Sequence, residues 1–182
     1  MNQVELFSGL RRSEIDVALT YDLDLPADLQ FTALKRLPPI ALMGSGHPLA
    51  DRDAVTVADL AAHPMVLLDL PLSADYFLAL FEAAGAKPVI AERTRDMAVM
   101  RSMVGNDFGY AIANVRPLSD TAPDGNPVRA VPIAGGARAL RMGLLSAQDA
   151  NRTSAVRAFM DYTAERVRAG DLGPIGGESL VT

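Results

Sequence analysis

Residues 65–115 read MVLLDLPLSADYFLALFEAAGAKPVIAERTRDMAVMRSMVGNDFGYAIANV, and the order of elements within them decides the fold class. Residues 65–69 are a short, nearly continuous apolar run, as expected of a strand covered on both faces. Ser73 is placed to cap a helix whose stripe is Tyr76, Phe77, Leu80 and Phe81 and which stops at Gly85. Residues 88–94 are the next extended segment. Asp96 is placed to cap a second helix carrying Met97, Met100, Met103 and Val104, ended near Gly105. Residues 110–115 form a third strand. Strand, helix, strand, helix, strand with short connections predicts a parallel βαβαβ unit with right-handed crossovers.

The flanks are built in the same style. Val4, Phe7 and Leu10 recur at helical spacing, and Arg11 and Arg12 sit where cations suit a helix C-terminus. Residues 15–21 alternate, with Ile15, Val17, Leu19 and Tyr21 on one face of a strand. Segments 29–37 and 39–43 are extended, separated by Pro38-Pro39, which no helix interior accepts. Residues 44–48 are a turn, and Thr56 with Asp59 forms a capping box before a helix stopped by Pro64. Strands follow at 128–133 and 140–145. A last helix carries Val156, Phe159, Met160, Thr163 and Val167, and the tail 171–182 is expected to be flexible.

This pattern predicts one lobe over 45–116 and another from 1–44 with 117–170. Two crossings between two α/β lobes make a hinge and a cleft. Ligands of open α/β sheets bind beyond the carboxyl ends of strands, which places 69–73, 94–96 and 20–22 at that cleft.

Composition narrows the chemistry. The chain has 182 residues, 17 Lys+Arg against 22 Asp+Glu, and no cysteine. A net charge of −5 argues against gripping a phosphate backbone unaided. No disulfide framework, Cys-based zinc site or thiol nucleophile is available. No apolar run approaches a membrane span, and the start lacks a secretory signal, so a cytoplasmic location is expected. Glycine-rich phosphate loops, G-x-S-x-G and paired metal histidines are missing. His47 and His63 each precede a proline in a turn, and Asp22 and Asp24 read as solvated carboxylates. The expectation is a binder, not an enzyme, with no cofactor or metal.

Several short motifs then stand in a characteristic order. Ile15-Asp-Val-Ala-Leu19 follows a helix ending in Leu10-Arg-Arg12. After it come His47-Pro-Leu-Ala50, Asp59-Leu-Ala-Ala-His-Pro64, Leu67-Leu-Asp69, Pro71-Leu-Ser73, Phe108-Gly-Tyr110 and Asn114-Val-Arg-Pro117. Each alone is unspecific. Together, over residues 3–169, they resemble the effector-binding domain of LysR-type transcriptional regulators. The resemblance implies an α/β, two-lobed periplasmic-binding-protein-like fold of type II, holding a small organic effector, anionic or aromatic, between the lobes. It also implies an amino-terminal winged helix-turn-helix, a linker helix and assembly into homo-oligomers. Against that pattern residues 1–182 are expected to be N-terminally truncated. They lack the helix-turn-helix through which DNA would be bound, the linker helix, and the first strand, first helix and second strand of the first lobe.

Ser73 is the foremost effector-binding candidate, either as hydroxyl donor to an anion at a helix start or as a simple cap. Leu70, Pro71 and Leu72 would shape the pocket wall through their backbone. Thr94, Arg95 and Asp96 stand at the next strand-to-helix corner, with Asp96 also explained as a cap. Tyr21 ends the 15–21 strand and could close on a ligand or sit at the core edge. Asn114 leaves the middle lobe near the hinge, where its amide could bridge the lobes or satisfy the loop. The alternative function is a stand-alone solute-binding protein of a transporter.

Overall fold

In a computed structural model the described residues are 2–148, 153–170 and 178–179. The elements run α1 (Gln3–Arg11), β1 (Val17–Tyr21), β2 (Leu29–Leu37), β3 (Ile40–Gly44), α2 (Val57–Ala61), β4 (Pro64–Leu68) and α3 (Ser73–Ala83). They continue as β5 (Val89–Thr94), α4 (Met97–Gly105), β6 (Ala111–Ala113), β7 (Val128–Pro132), β8 (Leu140–Ala147), α5 (Ser154–Arg168) and β9 (Glu178–Ser179). The chain divides into two units: Met1–Leu37 with Leu140–Thr182, and Pro38–Ala139.

The first unit is an antiparallel sheet in the order β1-β8-β2-β9. Its register shifts between Ala33 and Lys35, a bulge that turns Leu34 into the core. There Leu34 and Leu144 pack under Met160 and Val167 of α5, with Val17, Val156 and Ala164 against them. Phe159, read from its spacing as part of that stripe, is 54% exposed. In β1 the alternation is as expected, but the deeper burial falls on the other face. Ala18 and Thr20 are buried, while Leu19, opposite Leu144, is 52% exposed. The physical reason is that α5 covers Leu144 and reaches Val17 but not Leu19, at the sheet's edge. Part of the tail also departs from expectation. Glu178 and Ser179 pair with Arg36 and Lys35, so the edge of β2 gives these two residues backbone partners; residues 171–177 and 180–182 lie outside the described residues.

In the second unit β3 lies between β6 and β7, antiparallel to both. Strands β4 and β5 are parallel, and a parallel bridge from Met65 to Tyr110 sets the third strand of the βαβαβ series beside β4. The division between units therefore falls at 37/38 and 139/140, not at 44/45 and 116/117. Alternation reveals that 40–44 and 128–132 are strands, but not that they ladder with each other and with β6. The core here is Leu42, Met43, Leu60, Met65, Leu67, Phe81, Met100, Tyr110 and Ile112, each essentially inaccessible. Of the methionine stripe, Met100 is core whereas Met97 is half exposed. The Thr56–Asp59 capping box forms in both directions. Among the described residues no helix is long and apolar enough to cross a membrane.

Candidate functional site

The carboxyl ends of β4 and β5 open at one corner of the second unit. Asp69 N–H donates to the Thr94 carbonyl at 2.8 Å, so the two strand ends are tied before their helices begin. From there the backbone runs through Leu70, half-buried, and Pro71, exposed, into α3.

The entry into α3 corrects the expected cap. Ser73 is the first helical residue, and the cap position belongs to Leu72, whose side chain offers no acceptor. Leu72 has φ +66° and ψ −35°, outside the left-handed helical well and strained for an L-residue by about 1–3 kcal/mol. Leu70 and Leu72 carbonyls accept from Ala74 and Tyr76 N–H at 3.0 and 3.1 Å. Leu72 makes no side-chain capping bond to the first turn. An eleven-residue helix thus presents an N-terminus without a side-chain cap, beside the half-buried Ser73 hydroxyl. That is the local arrangement that attracts a carboxylate.

The neighbouring corner is differently committed. One oxygen of Asp96 accepts from Ala98 and Val99 N–H at 2.7 and 3.0 Å, an ordinary N-cap of α4. Thr94 Oγ1 accepts from Asp96 N–H at 3.2 Å and so shapes the same turn. Arg95 is exposed. The cation set against the corner is Arg93, whose Nη1 lies 3.6 Å from Asp69 Oδ2. Both groups are substantially exposed, so the pair sets local charge more than stability.

Asn114 follows the end of β6. Its Nδ2 donates to the Tyr76 hydroxyl at 2.9 Å, and that hydroxyl donates to the Arg138 carbonyl at 2.7 Å. Tyr76 is 5% exposed. Sequence reasoning took it only as part of an apolar stripe. The signal available was its position three residues after Ser73, where a buried phenol needs a polar partner.

Tyr21 belongs to the other unit and is described there. It ends β1 opposite Met142, with its carbonyl accepting from Gln3 Nε2 at 2.9 Å. Burial raises its phenol above the ordinary value, so it is neutral at physiological pH. Asp22, expected to be solvated, is instead nearly buried: its carboxylate accepts from Arg141 N–H at 2.6 Å and Arg141 Nε at 2.8 Å. Such a carboxylate is occupied in holding β1 to β8. Among the described residues no group of three or more His, Cys, Asp or Glu is arranged to hold a metal ion.

A model of the LysR substrate binding domain matches residues 1–168. The chain belongs to the LysR substrate-binding domain family. It is 27% identical over 171 residues to the uncharacterized HTH-type transcriptional regulator YnfL of Escherichia coli (strain K12). That match takes in 92% of this chain and 57% of YnfL, so the chain spans a little over half the length of this relative. The crystal structure of HinK, a LysR family transcriptional regulator from Pseudomonas aeruginosa, superposes with a TM-score of 0.85 at 33% identity. There 92% of this chain covers 58% of HinK. The effector binding domain of QuiR in complex with shikimate has the same fold, with a TM-score of 0.79 at 20% identity, covering 94% of this chain and 81% of that one. The fold is therefore the type II periplasmic-binding-protein-like fold of LysR effector domains.

Proposed function

We propose that this chain is the effector-sensing part of a LysR-type transcriptional regulator, and that its effector is a small organic acid. The observation that carries the reading is the α3 N-terminus, with its first turn lacking a side-chain cap, Leu72 held at positive φ, and the Ser73 hydroxyl beside it. Backbone N–H groups and a hydroxyl bind a carboxylate without a charged partner, and the helix dipole favours the same sign. Arg93 offsets the charge of Asp69, which would otherwise repel an acid there.

In this reading Ser73 donates to the effector carboxylate, Leu70–Leu72 line its approach, and Tyr76 with Asn114 positions the first turn of α3. Thr94 and Asp96 shape the adjacent turn, and Arg95 adds positive charge at its rim. The 20% identity to the shikimate-bound QuiR domain supports the fold, and that neighbour's ligand is itself a carboxylate. The regulator works in the cytoplasm as a homo-oligomer, and DNA is contacted by a helix-turn-helix of the kind for which YnfL is named. An effector acts only through its differential affinity for the conformations the regulator adopts.

A thermal-shift screen of small carboxylic acids against matched alcohols and amines tests this reading. A ligand at 100 times its Kd adds about 2.7 kcal/mol of stability. The expected outcome is a raised melting temperature with one class of acid. Stabilisation by amines or sugars and by no acid would contradict it.

A further inference from the structure

The chain has two histidines, His47 and His63, and the effector corner uses neither. The fold brings them together, with ring centroids 4.8 Å apart and planes at 60°. Fully buried Tyr110 closes another side, its ring centroid 6.3 Å from that of His47. The turn itself fixes the His47 tautomer. Leu49 N–H donates to Nδ1 at 3.2 Å, so the ring proton sits on Nε2. That Nε2 is buried, and no protein acceptor reaches it among the described residues; the same is true of the Tyr110 hydroxyl. The backbone of the turn closes around this ring, His47 N–H donating to the Gly44 carbonyl at 3.1 Å and Ala50 N–H to the His47 carbonyl at 2.9 Å.

A second proton can enter His47 only at Nδ1. It would break the Leu49 bond, place charge on a half-buried ring and set it against His63. The surrounding groups are few. His63, between α2 and β4, opposes the charge, and Asp107, in the loop after α4, favours it. Tyr110, just before β6, is held neutral by burial. Further out, Asp59 faces both His63 and Arg52. Burial dominates, His63 adds to it, and Asp107 only partly opposes them, so the His47 imidazole lies below its ordinary value.

We propose that His47 is a proton switch within the second unit: neutral, its ring fastens the turn after β3 through the Leu49 N–H; protonated, it gives that bond up beside His63. The turn follows directly from β3, the strand between β6 and β7.

Two histidines make the test direct, by NMR titration of the imidazole signals in the whole chain. Near neutral pH the His47 ring is expected as the Nε2–H tautomer. Its midpoint is expected below the ordinary imidazole value, because burial and the neighbouring His63 both disfavour the charged ring. In His63→Gln the His47 midpoint rises, and in the unaltered chain the protection of the Leu49 amide, relative to its intrinsic exchange rate at each pH, falls through the His47 midpoint. A His47 Nδ1–H tautomer, a midpoint unmoved by His63→Gln, or Leu49 exchange that ignores the His47 midpoint would each overturn the proposal.

Discussion

Asn114 donates from Nδ2 to the Tyr76 hydroxyl at 2.9 Å, joining the end of β6 to the first turn of α3. Because the same hydroxyl donates to the Arg138 carbonyl at 2.7 Å, one buried oxygen serves three segments of the second unit. Tyr76→Phe strips a donor and an acceptor together while leaving the ring. It should cost about 1–2 kcal/mol, read as a lower urea midpoint with an unchanged denaturant slope. An unchanged midpoint would mean the hydroxyl contributes nothing to the fold.

Asp96 separates a cap from a ligand. Its carboxylate oxygen accepts from two first-turn N–H groups of α4, so Asp96→Ala should lower stability by about 1 kcal/mol. Affinity for an organic acid should stay the same, because capping occupies the side chain. Loss of affinity at undiminished stability would instead make Asp96 a ligand-binding group.

Gly109 lies where β6 approaches β4. It has φ +145°, and a Cβ there would run into the backbone carbonyl of Pro64. That carbonyl accepts from Tyr110 N–H at 3.0 Å, so it cannot move aside without losing a sheet bond. Gly109→Ala should cost about 2–3 kcal/mol, measurable by thermal unfolding. Gly85→Ala, also at positive φ but with nothing within 4 Å, should cost less.

Stability should fall in two steps on acidification. The folded-state value of His47 is lowered, so below about 6.5 the unfolded chain binds the proton more readily. The His47 contribution is therefore full above that pH and is lost as pH falls toward the depressed value. Asp59 is lowered by its bonds to Thr56, as Asp28 is by Arg11, Asp124 by Asn106 and Glu14 by Arg12. Their contributions are full above the ordinary carboxylate range of about 4 and are lost together as pH drops through the lower folded values. Melting temperature followed from pH 8 to 3, a range chosen around those values, should show both steps. His47→Gln should remove the first alone.

Much of the fold is legible in the residues, because local rules agree with the global ones. The Thr56–Asp59 box, the Asp96 cap and the order of strands and helices from 65 to 115 all read directly. What is not legible is partnership. Nothing in 40–44 says that it pairs with 128–132 and 111–113, so the unit boundary is displaced. The burial of Ala18 and Thr20 over Leu19 depends on how far α5 reaches. At the site, Ser favours a cap, yet the chain enters α3 through a strained Leu72, a choice that propensity alone argues against. Arg93 and Arg95 look alike in sequence, and only the end of β4 distinguishes the one that meets Asp69.

In the proposed function the α3 N-terminus binds the effector's carboxylate. The most direct measurement is calorimetric titration of an acid identified by thermal shift into the unaltered chain and into Ser73→Trp, with circular dichroism confirming that the variant is folded. The account predicts saturable binding to the unaltered chain and at least a tenfold loss, about 1.4 kcal/mol, in the folded variant. Equal affinity for both would place the effector elsewhere and contradict the account.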